Sequence, residues 1–170
     1  MLKINNMTEA LKNTVNYLKL HDFIAPTRQL HSMQELLVAL NQDAGTNYMD
    51  FDAECITDSQ SYSDILNGLK RTFENDNRFE IVSSHYDVSS QTACIKICVN
   101  SVEFSGEWHQ KGDWIAEEFW NVFDRVKEVL NGEIVNLPID QNFRAFYFQD
   151  KSSARDLAGL IDSLLIEETW

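Results

Sequence analysis

The sequence predicts an α+β protein in which a mostly antiparallel sheet packs against several helices. Three strand-like runs, at residues 79–87, 91–99 and 101–109, follow one another with short polar breaks between them, which is typical of an antiparallel meander. Segments with apolar residues at helical spacing lie before and after these runs. The strands are therefore grouped together and do not alternate singly with helices, and this grouping favours α+β over α/β.

The first part of the chain predicts a helical hairpin within residues 1–45. Thr8 is a suitable N-cap for an amphipathic helix over residues 9–20. Pro26 suits the first turn of a second helix, whose apolar positions continue to Leu40. We expect the two helices to lie antiparallel, because the connection between them is short.

The segment between the hairpin and the meander is mixed in character. Acidic and apolar residues alternate within 47–60, and this period of two predicts a short strand. Ser61 and Asp64 resemble a capping box, with Asp in place of the usual Glu or Gln, and predict a helix over 62–75.

The third strand-like run has two different faces. Val102, Phe104 and Trp108 share one side, and polar or charged residues occupy the other. Such alternation indicates a strand with one face packed and one face in water. We expect Asp113 to cap a long helix over 113–131.

The last part of the chain predicts a strand pair at residues 133–138 and 143–149 and a final helix over 152–166. No internal repeat or linker divides the sequence. We therefore expect a single domain over residues 1–170, with the sheet-containing core in 60–170.

The chain is strongly acidic. It has 14 Lys and Arg against 27 Asp and Glu, a formal net charge of −13, and residues 101–170 hold 14 acidic and 6 basic residues. Nucleic acids and anionic membranes are poor partners for such a chain, because their phosphates would be repelled. A basic protein is the macromolecule that this charge favours.

The cysteines, the first residues and the histidines bear on the cellular compartment and on cofactors. Three cysteines are too few and odd in number for a disulfide framework, so we expect a reducing compartment, with Cys94 and Cys98 as core thiols. The first residues lack a signal-peptide pattern and no segment is long enough to span a membrane, which predicts a cytoplasmic protein. The four histidines lack metal-ligand spacing, so no metal or cofactor is expected.

Two acidic clusters are candidates for chemistry or for binding. Asp50, Asp52, Glu54 and Asp58 form one acidic cluster, which lacks the spacing of a calcium loop, and we interpret it as an acidic edge that solvent or a partner covers. Glu103, Glu107 and His109 share the exposed face of the third run, where a carboxylate beside an imidazole could transfer protons, yet no nucleophile or oxyanion hole accompanies them. The sequence therefore favours binding over catalysis.

Residues 101–148 carry a family resemblance. The strand that ends Ser105-Gly106-Glu107-Trp108, the Gly112-Asp113-Trp114 helix start and the turn at 137–143 together resemble bacterial toxin-immunity proteins of contact-dependent or polymorphic toxin systems. This resemblance covers under a third of the chain. It implies a small, acidic, cytosolic protein that binds one cognate toxin, often a basic nuclease, and it implies no catalytic residue.

Charge, aromatic content and resemblance lead to one hypothesis and two alternatives. The hypothesis is an immunity protein that neutralises a basic toxin through an acidic and aromatic surface. The alternatives are an enzyme of unrecognised type that uses an acidic and histidine cluster, and an acidic DNA-mimic inhibitor. The candidate partner-binding residues are Glu103, Glu107, Trp108, His109 and Asp113, with a second patch at Asp50, Asp52 and Glu54.

Overall fold

The computed structural model describes residues 7–167, which fold into five helices and six strands. These elements follow one another as α1 (Glu9–Leu20), α2 (Met33–Asp43), β1 (Tyr48–Asp52), α3 (Ser61–Phe73), β2 (Phe79–Asp87), β3 (Thr92–Val99), β4 (Val102–His109), α4 (Glu117–Lys127), β5 (Glu133–Asn136), β6 (Asn142–Phe148) and α5 (Lys151–Glu167).

The strands form two three-stranded antiparallel sheets, and this confirms the α+β prediction. One sheet is the predicted meander, in the order β2-β3-β4. The other has the order β1-β6-β5, so the predicted pair of β5 and β6 gains β1 on its free side. Apolar residues of α3 and α4 are buried in one core together with residues of both sheets.

The β1-β6-β5 sheet is the middle layer of the fold, because each of its faces belongs to a different core. Ala145 and Tyr147 point into a core shared with α3, α4 and one face of the meander. Phe146 and Phe148 point the other way, into a second core built with α1, α2 and α5. Both faces of β6 are covered, which explains why five of its seven residues, Phe143 and Ala145–Phe148, are apolar or aromatic.

The two N-terminal helices are present, but the second begins later than predicted. Thr8 caps α1 as expected, since its hydroxyl accepts a hydrogen bond from the Leu11 N–H. Pro26 lies in a loop, and α2 begins at Met33, where the Ser32 hydroxyl supplies the cap. The helix against which α1 packs is α5, since apolar residues of both share the second core.

The boundaries of α3 and α4 also differ from the prediction. Ser61 is the first residue of α3 and is not its cap, because its hydroxyl accepts hydrogen bonds from the N–H groups of Thr57 and Asp58. The helix that was predicted over 113–131 spans only Glu117–Lys127. The observed strands, in contrast, match the three predicted runs of the meander to within one residue.

Candidate partner-binding surface

The β2-β3-β4 sheet has one covered face and one open face. Its covered face places Ile95, Ile97 and Trp108 against α3 and α4. We call the opposite side the outer face, and all of its residues are at least partly exposed to solvent. The outer face consists of Glu80, Ser83, His85 and Asp87 of β2, Thr92, Cys94, Lys96 and Cys98 of β3, and Glu103, Ser105, Glu107 and His109 of β4.

The outer face is acidic. It carries the carboxylates of Glu80, Asp87, Glu103 and Glu107 and one ammonium group, that of Lys96, which leaves a formal charge of −3 with histidines neutral. Lys96 Nζ lies 3.1 Å from Glu103 Oε1. Both side chains are exposed, and pairs of this kind contribute only about 0–1 kcal/mol to stability. A partner's cation can therefore replace Lys96 at little cost.

One carboxylate of the outer face is held firmly in its charged form. The hydroxyl and the backbone N–H of Ser89 both donate hydrogen bonds to Asp87 Oδ1, at 2.6 and 2.9 Å. These bonds stabilise the carboxylate and lower the pKa of Asp87 to about 2. Asp87 therefore stays ionised wherever the protein is near neutral pH.

The structure places the β4 residues of the first predicted group on two opposite sides of the β2-β3-β4 sheet. Glu103, Glu107 and His109 lie on the outer face and are exposed, as alternation along β4 predicted. Trp108 points to the opposite side, where it is 5% exposed and stacks edge-on against Tyr62 at a centroid distance of 5.0 Å. Trp108 is therefore a core residue, and it cannot touch a partner on the outer face.

Asp113 lies outside the helix that it was expected to cap. The N-cap position of α4 is Ala116, and no side chain caps the helix there. Asp113 is exposed, and its carbonyl accepts a hydrogen bond of 2.8 Å from the Ile56 N–H. The neighbouring Trp114 is 48% exposed, so the aromatic side chain beside Asp113 that a partner can reach is Trp114.

A buried glutamine fixes the segment that carries Asp113 and Trp114. Gln110 Oε1 accepts hydrogen bonds from the Tyr62 hydroxyl, at 2.6 Å, and from Trp108 Nε1, at 3.3 Å. Gln110 Nε2 donates to the carbonyls of Gly112 and Trp114, at 3.0 and 2.7 Å. Sequence analysis missed this residue, although it continues the inward positions of β4, and a polar residue at an inward position is the signal that could have found it.

The second predicted patch is not one exposed row. Asp50 Oδ2 lies 3.2 Å from Arg144 Nε, and the two side chains are only 11% and 5% exposed. Arg144 also donates to Asp140 Oδ1, at 3.0 Å, and to the Ile139 carbonyl, at 2.8 Å. Asp50 is therefore part of a buried ion-pair network and is not a partner-facing residue. The pKa of Tyr48 is raised, mainly because burial desolvates its phenolate and also because the negative charge of Asp50 lies close to it.

Asp52 and Glu54 lie nearer the surface, but they also bind their own chain. Asp52 Oδ1 accepts hydrogen bonds from the Glu54 N–H, at 2.8 Å, and from Gln141 Nε2, at 2.9 Å. Glu54 is exposed, and its carboxylate lies 3.4 Å from the same Gln141 nitrogen. The structure thus leaves Glu54 as the exposed carboxylate among the three predicted residues of this patch.

The cysteines differ from the expectation of core thiols. All three are free, and Cys94 and Cys98 are half-buried side chains of the outer face. Cys55 packs at the margin of the core between the two sheets. Within residues 7–167, no cluster of three or more histidine, cysteine or acidic side chains is placed to hold a metal ion.

Comparisons with protein-family models, with curated proteins and with solved structures find no match to the chain. Over residues 7–167, no helix combines the length and the apolar character that crossing a membrane requires.

Proposed function

We propose that the chain is an immunity-type protein that binds a basic toxin through its outer face and so neutralises it. The observation that carries the proposal is the open sheet face with four carboxylates and a single lysine. A net charge of −13 would add long-range attraction for a basic partner. The resemblance of residues 101–148 to toxin-immunity proteins points to the same class.

The proposed mode of action is binding without catalysis. A rigid, three-stranded sheet presents Glu103 and Glu107 at fixed positions, which lowers the entropy lost on association. Complementary charge mainly speeds association and selects a basic partner, whereas buried contacts set how long the complex lasts. Trp114, next to Asp113, is the exposed aromatic residue best suited to supply such a contact.

The proposal is tested by using the tagged chain to capture its partner from the native host at about 0.05 and 0.3 M salt. The higher salt concentration screens surface charges more strongly. One stoichiometric basic protein, whose toxicity the chain suppresses on co-expression, is the expected result. Its association should slow by about tenfold at the higher salt. A captured partner that is acidic, or that is equally toxic with and without the chain, would contradict the proposal.

Charge reversal then identifies the surface. Glu103→Lys and Glu107→Lys should each slow association with the captured protein by about tenfold. Asp162→Lys makes the same change of charge on an exposed position of α5 and is the matched control. Equal effects of all three variants would show that net charge alone matters, and would remove the outer face from the proposal.

A further inference from the structure

The free edge of β1 offers unpaired backbone groups. β1 is an edge strand of the β1-β6-β5 sheet. The Tyr147 N–H donates a hydrogen bond of 2.8 Å to the Asn47 carbonyl, and this sets the alternation along the strand pair. The N–H and carbonyl groups of Tyr48, Asp50 and Asp52 must then point away from β6. A further strand could pair with them.

Two hollows flank this edge, one on each side of the sheet. The α3 hollow, of about 280 Å³, lies between β1 and α3 and is lined by residues that include Asp58, Asp64 and Gly68. The α2 hollow, of about 360 Å³, lies between β1 and the end of α2, beside Leu40 and Ala44. Met49, Asp50 and Arg71 line both hollows.

The two hollows match the geometry of an added strand. Successive side chains of a strand point to opposite faces of its sheet. A strand paired with β1 would thus send alternate side chains into the α3 hollow and into the α2 hollow. Main-chain hydrogen bonds give affinity in this mode of recognition, and the hollows select side chains.

The charges of the α3 hollow indicate what it would select. Asp58 and Asp64 are exposed at one end, and Arg71 lies at the other, about 10 Å from Asp64 along the helix. Asp50 is already paired with Arg144. The uncompensated charge is therefore negative beside Asp58 and Asp64, and a cationic side chain is the complementary one.

We propose that the edge of β1 is a second binding site, which takes an extended, basic segment of a partner protein as an additional strand. A second copy of the chain is a poorer occupant. The β1 strand of a second copy, Tyr48–Asp52, has no cationic side chain to place beside Asp58 and Asp64. The site is separate from the outer face and does not depend on the function proposed above.

The test uses the full chain, labelled with ¹⁵N, and a capped basic peptide of about eight alternating Thr and Val residues with two Lys near one end. Hydrogen exchange should slow about tenfold at the amides of Tyr48, Asp50 and Asp52, with little change at Met49 and Phe51. A peptide with the same side chains and an N-methylated backbone should have no effect.

Two variants locate the peptide. A Cβ atom added at Gly68 meets nothing within 4 Å, and so does one at Gly159 of α5. Replacing a glycine inside a helix also raises helix propensity, so both variants should fold. Gly68→Leu fills the α3 hollow and should weaken peptide binding at least tenfold, whereas the control Gly159→Leu should leave it unchanged.

Three results would overturn the proposal. They are no slowing of exchange at millimolar peptide, equal slowing by the N-methylated peptide, and slowing that grows with protein concentration when no peptide is present, which would show that a second copy covers the edge. Cysteine alkylation separates this site from the outer face. Peptide bound at the edge should protect Cys55, which lines the α3 hollow, and a partner on the outer face should protect Cys94.

Discussion

Replacement of Gln110 tests most directly how a buried side chain holds the segment that carries Asp113 and Trp114. Its side chain is buried, with 1% exposed, and both its oxygen and its nitrogen use two hydrogen bonds each. Gln110→Met keeps an unbranched side chain of similar size and removes every polar atom of the amide. The segment that carries Asp113 and Trp114 would then lose the two hydrogen bonds that the Gln110 amide donates to the carbonyls of Gly112 and Trp114.

The expected loss of stability depends on which hydrogen-bond partners of Gln110 stay buried after the substitution. The Tyr62 hydroxyl and Trp108 Nε1 lie in the core and lose their acceptor, and a buried unpaired group costs about 1–3 kcal/mol. The carbonyls of Gly112 and Trp114 belong to exposed residues and can bind water instead. We expect a loss of about 2–6 kcal/mol in the free energy of unfolding, against a typical total of about 5–15 kcal/mol.

Urea unfolding followed by far-ultraviolet circular dichroism measures this loss, and amide exchange over residues 111–116 locates it. Exchange in that segment should accelerate more than exchange in β3. Gln141→Met is the control, because Gln141 is exposed and its loss should change stability by no more than about 0.5 kcal/mol. A Gln110→Met protein as stable as the control, with unchanged exchange over 111–116, would refute the reasoning.

Three further predictions concern other parts of the fold. Arg144→Met should cost about 3–5 kcal/mol in urea unfolding, because it leaves Asp50 buried without its cation; a cost below about 1 kcal/mol would show that water reaches Asp50. Gly132→Ala should cost about 1–3 kcal/mol, because the new Cβ would collide with the Phe148 carbonyl oxygen and lie 2.6 Å from the Tyr147 hydroxyl; Gly159→Ala is its open-space control, and equal stability of the two variants would contradict the packing. Titration of Asp87 by NMR should give a pKa of about 2, below the ordinary value of 3.8, so its stabilising contribution is present above pH 3.8 and is lost as the pH falls towards 2; a measured pKa of 3.8 or above would contradict the hydrogen bonds from Ser89.

The meander could be predicted from sequence because its signals are local. Alternation along β4 separates Phe104 and Trp108 from Glu103 and Glu107, and the structure follows that alternation. The same pattern already indicated that Trp108 is buried. Its assignment to the binding surface came from the general frequency of tryptophan in interfaces, and the local pattern was the better guide.

What sequence analysis missed depends on distant partners. Alternation near residue 50 predicted β1, but it could not show that Asp50 faces Arg144, which lies 94 positions further along the chain. The start of α4 was placed four residues early, because Asp113 has the chemistry of a cap and only the contact with Ile56 shows that its backbone is engaged elsewhere. The pairing between β1 and β6 likewise could not be predicted from local sequence patterns, because the two strands lie far apart in the chain.

The most direct test of whether a partner binds the outer face is the rate at which iodoacetamide alkylates Cys94 and Cys98. The rates are compared between the free chain and its complex with the captured basic protein. Both thiols lie in the middle strand of the outer face, whereas Cys55 lies away from that face and lines the α3 hollow. We predict that binding slows alkylation of Cys94 and Cys98 at least tenfold; slowing at Cys55 would report occupation of the β1 edge and not of the outer face. Unchanged rates at Cys94 and Cys98 in a saturated complex would show that the partner binds elsewhere and would contradict the proposed surface.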